Sequence, residues 1–230
     1  MGNIEMRPVV AIDGPSGSGK STVARMLSER LGYLHLDTGA MYRAVALAAR
    51  RRGIPYDAGP ALDRMCREIK IELLPGKGGV CVLLDGEEVT EEIRLPEMSL
   101  GSSTVSAVPV VREHMVKLQR EIGKDGGVVA EGRDMGTVVF SGARAKYYLD
   151  ASPEVRARRR WDQLRESGHP EDYEKVLKEM RHRDYCDSSR DHSPLRKADD
   201  AVVVDTTGKS AHEVVEILAR RVIELETSGA

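Results

Sequence analysis

Short apolar runs that end on a polar residue alternate along this chain with stretches in which apolar residues recur every three or four positions. The runs at 9–13, 33–37, 128–131, 146–150 and 201–205 read as strands. Between them, Val23, Met26, Leu27 and Leu31 share one helical face that closes at Gly32. Met41, Ala44, Val45 and Ala48 share a second, closed by Gly53, and Val111, Met115, Leu118 and Ile122 a third, closed by Gly123. A final helix is expected over 211–225. Strands alternating with helices predict an α/β fold: a parallel sheet whose neighbouring strands are joined by helical crossovers.

Two segments break this rhythm. Residues 69–74, 80–84 and 88–90 are short strand-like runs joined by GKGG and DGE, the pattern of a small antiparallel meander. They sit in an expected insert at 58–109 with a helix or two of its own, so the main body spans 1–57 and 110–230. A basic, helical excursion at about 153–190 precedes the last strand.

Composition narrows the function classes. The 230 residues carry 40% hydrophobic and 31% charged side chains, the balance of a folded domain rather than a disordered chain. Lysine and arginine number 35 against 37 acidic residues, a net charge of −2 that argues against a nucleic-acid binder. One tryptophan, seven tyrosines and one phenylalanine leave little with which to stack bases. No apolar run approaches a membrane span and the start lacks a secretory core, so a cytoplasmic protein with no membrane partner is expected. Gly2 suggests myristoylation, but Met6 stands where that motif needs a hydroxyl. Cys66, Cys81 and Cys186 have neither disulfide nor zinc spacing.

The strongest chemical signal lies at the first strand. Gly14, Pro15, Ser16, Gly17, Ser18, Gly19, Lys20 and Ser21 fit G-x-x-x-x-G-K-[ST] after a strand and before a helix. Glycines let backbone N–H groups turn inward around phosphate oxygens, and the helix N-terminus adds partial positive charge. Lys20 suits the β and γ phosphates of a nucleoside triphosphate, and the Ser21 hydroxyl suits Mg²⁺. The motif names a nucleotide, not a reaction. No N-K-x-D guanine reader is present, so a switch GTPase is disfavoured. Arginines near glycines or acids recur at strand ends: DTGAMYR at 37–43, EGRD at 131–134, and Arg156, Arg158, Arg159 and Arg160. A second phosphorylated substrate explains them economically.

Taken together, DGPSGSGKST, LDTGAMYR, PVVRE, EGRDMGTVVF and RDYCDSSRDHSPL, in this order and spacing, resemble bacterial cytidylate kinases from residue 9 to about 205. The resemblance implies a three-layer P-loop fold with a five-stranded parallel sheet, an inserted NMP-binding subdomain and a helical lid. It implies transfer of the γ-phosphoryl group of ATP, with Mg²⁺, to CMP or dCMP, by a chain expected to act as a monomer. The family's phosphate loop corresponds to residues 14–22, ending at Thr22. Its acceptor-phosphate arginines correspond to Arg43, Arg133 and Arg190, its cytosine readers to Ser103, Arg112 and Asp134, and its ribose contacts to Arg183 and Asp187. Thr38 stands where some members have serine, which keeps the hydroxyl, and Glu131 where some have an aspartate that organises the metal. Lys20, Arg133 and Arg159 are the residues expected to act on the transferring group. Competing readings are a P-loop kinase for another acceptor, such as AMP, UMP or shikimate, and a regulatory NTP-binding module.

Helical geometry leaves two readings for the basic helices. Arg156, Arg159 and Arg160 fall on one face, as a lid over the ATP phosphates or as a solvated basic surface. Arg183, Asp187 and Arg190 also fall on one face, as a ligand contact or a salt-bridge ladder. Cys186 has no histidine arranged to activate it and reads as a bystander; Met65 and Met98 read as packing.

Overall fold

A computed structural model describes residues 7–76 and 79–227; Gly2, Met6 and the Lys77–Gly78 centre of the expected GKGG turn lie outside them. The chain runs β1 (Val9–Asp13), α1 (Lys20–Leu31), β2 (Leu34–Asp37), α2 (Thr38–Arg51) and α3 (Gly59–Glu68). It continues with β3 (Ile71–Gly76), β4 (Gly79–Leu84), β5 (Glu87–Glu88), α4 (Pro96–Ala107) and α5 (Pro109–Ile122). It ends with β6 (Val128–Gly132), β7 (Ala145–Asp150), α6 (Pro153–Glu166), α7 (Tyr173–Ser189), β8 (Val202–Asp205) and α8 (Ala211–Thr227). Two sheets result, one five-stranded in the order β2-β6-β1-β7-β8 and one three-stranded in the order β3-β4-β5. β1 pairs in parallel with β6 and β7, and β7 with β8, as alternation with helices requires; the small sheet is antiparallel.

Boundaries differ from the expected ones where local chemistry intervenes. β2 begins one residue late because the Tyr33 N–H still donates to Ser28 O (2.9 Å), past a left-handed Gly32 that ends α1. The third strand of the small sheet is Glu87–Glu88 rather than 88–90, because the Val82 N–H bonds the Thr90 hydroxyl (3.0 Å) instead of a backbone carbonyl. Pro109 opens α5 two residues before the apolar pattern does, as proline suits a first helical turn.

The chain divides into two compact units, residues Met1–Tyr33 with Gly126–Ala230, and Leu34–Asp125. The expected insert, 58–109, falls within the second. In the first unit, Val10, Ile12, Val129, Tyr147 and Leu149 of the strands pack in one core with Val23 and Leu27 of α1 and Val214, Leu218 and Val222 of α8. A smaller core joins α6 to α7 through Ala157, Leu164, Val176, Leu177 and Met180, with Trp161 edge-on to Tyr173. Arg158 and Arg165 each cap the Trp161 ring at 4.6 Å, so the basic helices carry a hydrophobic joint beneath their charge. In the second unit the alanine-rich α2 lies almost wholly buried, its small side chains admitting α4 at close range. Met65 and Met98 are buried there, as packing residues should be.

Candidate functional site

The order of the large sheet places β6 and β7 on either side of β1, so the chain switches direction at β1, where open α/β sheets bind ligands beyond the strand C-termini. Register puts Asp13 opposite Gly132, so the loop after β1 and the residues after β6 emerge side by side. That loop is Gly14–Gly19. At Gly14 φ is +148°, and a Cβ there would lie 2.0 Å from the backbone oxygen of Leu149. Gly14→Ala is therefore expected to cost at least the roughly 1–3 kcal/mol typical of overpacking, at about 2–4 °C of melting temperature per kcal/mol. A thermal melt within 1 °C of the parent would contradict this close approach.

Lys20 opens α1 and is 6% exposed. Its ammonium donates to Pro15 O (2.6 Å) and Ser18 Oγ (3.4 Å) across the loop. Burial and the neighbouring Arg133 push its pKa down to about 7, against the pull of Glu131 and Asp13. This ammonium, resting on a carbonyl and a hydroxyl of the loop, is placed to receive negative charge. Next to it, Ser21 Oγ donates to Glu131 Oε2 (2.9 Å) at the end of β6. Thr22 is exposed one position on.

Beyond β6 the chain makes a wide, π-helical turn over Met135–Val139 whose start is held by Asp13: its two carboxylate oxygens accept the N–H groups of Met135 and Gly136, each at 2.7 Å. Burial raises the Asp13 pKa to about 6 despite those donors. Asp13 thus sets the path of Arg133 and Asp134, the second of which is 2% exposed. Arg133 Nε donates to Asp187 Oδ2 (2.8 Å), while Arg190 Nη1 stands 3.9 Å from Asp187 Oδ1. Burial would raise the Asp187 pKa, yet Arg133 and Arg183 facing it hold it below the usual carboxylate range. The same pairing holds the Arg133 pKa up against the desolvation that would lower it. One corner of the first unit therefore gathers the phosphate loop, Glu131, Arg133, Asp187 and Arg190.

Three expectations need revision. Arg190 does not continue the helical face: α7 stops at Ser189, Arg190 is extended, and its Nε donates to Ser193 O (2.6 Å). The Asp187 carbonyl is captured by the Leu195 N–H (2.7 Å), which closes the helix end while keeping Arg190 near Asp187. Cys186 does have a histidine: His182, one turn earlier, places Nε2 3.6 Å from its Sγ on the exposed side of α7. Arg156 is not part of a solvated basic surface. It is 4% exposed and donates to Ala151 O (2.9 Å) and Ser16 O (3.1 Å), with its charge on Asp184 at 2.7 Å. Arg159 donates to Gly17 O (3.4 Å), Thr206 Oγ1 (3.0 Å) and Thr206 O (2.6 Å), and Arg160 to Gln163 Oε1 (2.9 Å).

The second unit carries the remaining residues. Asp37 caps α2 by accepting the Ala40 N–H (2.8 Å) and pairs with Arg43 Nη2 (3.2 Å). Burial opposes its charge, but Arg43 holds its pKa below the ordinary range. Thr38, 3% exposed, is the first residue of α2. Arg112 of α5 is 5% exposed; its guanidinium lies 5.6 Å from the centroid of Tyr42 and donates to Ser106 O (3.1 Å). Ser106 Oγ in turn donates to Ser103 O (2.9 Å), which ties Ser103 of α4 to Arg112. Asp13, Asp37, Tyr42, Asp184 and Thr206 all support these groups and were not singled out in sequence. Asp13 ends the strand before the glycine loop, and Asp37, Tyr42 and Asp184 lie within DTGAMYR and RDYCDSSRDHSPL, so each stood beside a readable motif; Thr206 did not.

A family model described as cytidylate kinase matches residues 10–224. A cytidylate kinase of Geobacter sulfurreducens is 47% identical over 224 residues, covering 96% of each chain. One of Syntrophotalea carbinolica is 48% identical over 216 residues, covering 94% of this chain and 92% of that one. Among solved structures, an uncharacterized protein from Eubacterium ventriosum superposes with a TM-score of 0.52 at 11% identity, over 95% of this chain and 99% of that one, a likeness of fold.

Proposed function

The chain belongs to the cytidylate kinase family, and from that premise we propose how its own residues move the γ-phosphoryl group of ATP onto CMP, yielding CDP and ADP. The observation that carries the reading is the corner of the first unit where Lys20, the Ser21–Glu131 contact of 2.9 Å and the Arg133–Asp187 pair of 2.8 Å meet. Residues 14–22 hold the triphosphate. Lys20 stays with the transferring group, and Arg43, Arg133 and Arg190 are the arginines for the acceptor phosphate. Ser103, Arg112 and Asp134 read cytosine, Arg183 and Asp187 the sugar, and Thr38 offers a hydroxyl to the substrate. dCMP shares every one of these groups except the 2′-OH and is the second substrate.

The residues fit Mg²⁺: Ser21 and Glu131 are hard oxygen donors, and this ion takes few protein ligands beside phosphates and water. When bound it would supply charge neutralisation to the triphosphate. No general base is needed, because the acceptor is a phosphate oxygen already ionised at neutral pH. The work of the protein is alignment and neutralisation of charge around a loose transition state. The reading further has the enzyme acting as a monomer in the cytoplasm, on small nucleotides and not on nucleic acid; a net charge of −2 supports the last point.

ADP release measured against a panel of monophosphates tests the reaction. CMP-dependent turnover is expected; the absence of acceptor-dependent ADP release with every monophosphate would make the chain a binding module instead. Asp187 gives a sharper result. Because its carboxylate positions Arg133 as well as facing the sugar, Asp187→Ala should lower kcat/KM by roughly tenfold or more, the scale of stranding a buried charge, and unequally for CMP and dCMP. A loss confined to melting temperature, with kinetics of the folded fraction unchanged, would remove Asp187 from the site.

A further inference from the structure

Three successive carbonyls of the phosphate loop are gripped from outside. Ser16 O accepts from Arg156 Nη1 (3.1 Å), Gly17 O from Arg159 Nη1 (3.4 Å) and Ser18 O from the Thr206 hydroxyl (3.0 Å). All three peptides are trans, so each carbonyl held outward turns the N–H across the same peptide plane the opposite way. The N–H groups so turned belong to Gly17, Ser18 and Gly19. Ser18 shows which way they face: its N–H reaches toward Pro15 O (3.4 Å), the carbonyl that the Lys20 ammonium also contacts at 2.6 Å. A run of inward N–H groups beside an ammonium is an anion nest.

Thr206, just past β8, is 3% exposed and fully engaged. Its N–H donates to Asp150 O (2.7 Å), and its carbonyl accepts from Arg159 Nη2 (2.6 Å). A hydroxyl has one proton to give, and here it goes to Ser18 O. Arg159 Nη1 donates to the hydroxyl oxygen (3.0 Å), which leaves that proton free for Ser18 O. We propose that Thr206 is a positioning residue of the donor site: its hydroxyl, oriented by Arg159, fixes the Ser18–Gly19 peptide so that the Gly19 N–H is aimed at a phosphate oxygen of the nucleotide. It makes no claim on the acceptor. The inference rests on residues 14–22 being the donor-phosphate site.

Thr206→Val keeps the shape and removes the hydroxyl; Thr206→Ser keeps the hydroxyl. ADP binding followed by calorimetry, with steady-state kinetics, separates the possibilities. The valine variant should bind ADP about tenfold more weakly and raise the KM for ATP similarly, on the order of one charge-assisted or buried hydrogen bond. Its KM for CMP should stay within twofold, and the serine variant should return ADP binding to within twofold of the parent. A folded valine variant that binds ADP as the parent does would overturn the proposal, even if its melting temperature fell. So would serine and valine variants with equal losses. Thr206→Ala against Thr206→Ser makes the same comparison if the valine variant does not fold. Failure of the parent itself to bind ADP would instead overturn the assignment of the donor site.

Discussion

Replacing Lys20 with methionine is expected to lower kcat by roughly 10² or more while the fold survives. The residue is 6% exposed, and a cation there is costly: burial and Arg133 already pull its pKa down to about 7. Its ammonium rests on Pro15 O at 2.6 Å, so a docked triphosphate would replace a neutral carbonyl with full negative charge. As the phosphoryl group moves between two oxygens, the charge it must neutralise moves with it, and a flexible ammonium can follow where a fixed backbone donor cannot. Methionine matches the length and apolar stem, and relieves the burial of charge, so stability should not fall. Steady-state turnover beside a melting curve checks both halves. A folded variant that keeps near-parental kcat would take the catalytic role away from this loop.

The largest ratio is expected between nucleotides rather than variants. CMP should outrun UMP in kcat/KM by as much as about 10⁴, because a site that hydrogen-bonds one base leaves buried groups unpaired with the other. Cytosine presents an amino donor at N4 and an acceptor at N3; uracil reverses both. Asp134 is 2% exposed and Arg112 5% exposed, so neither can turn to water when the wrong base arrives. Arg112 is further held by Ser106 O at 3.1 Å and by the Tyr42 ring, which keeps its donors in one orientation. Asp134→Ala should shrink the ratio by lowering CMP turnover more than UMP turnover. Parallel kinetics on the two nucleotides decide it: equal use by the parent would refute this assignment of the base readers.

Much of this was legible because it is local. The strand, glycine loop and helix at 9–31 are adjacent in sequence, so both the fold element and its chemistry could be read from one stretch. The small antiparallel sheet announced itself through turns between short runs. Arg133 and Asp134 stood out because they follow an apolar strand directly. The grip on the phosphate loop was not legible: Ser16, Gly17 and Ser18 are held by Arg156, Arg159 and Thr206, and the last of these lies 188 positions from Ser18. Nor was the pairing of Arg133 with Asp187, 54 residues apart.

Sequence alone thus determined the parallel α/β class, the phosphate loop and the residue types needed for a second phosphorylated substrate, since period, turn chemistry and motif spacing act over a few residues. Tertiary structure decided what each charge does. Register of β1 beside β6 set Glu131 against Ser21, burial assigned Arg156 to the loop rather than to solvent, and the Leu195 N–H that closes α7 left Arg190 extended. The physical reason is that an arginine's partner is chosen by distance and desolvation after the chain has folded, and neither quantity is a function of separation along the sequence.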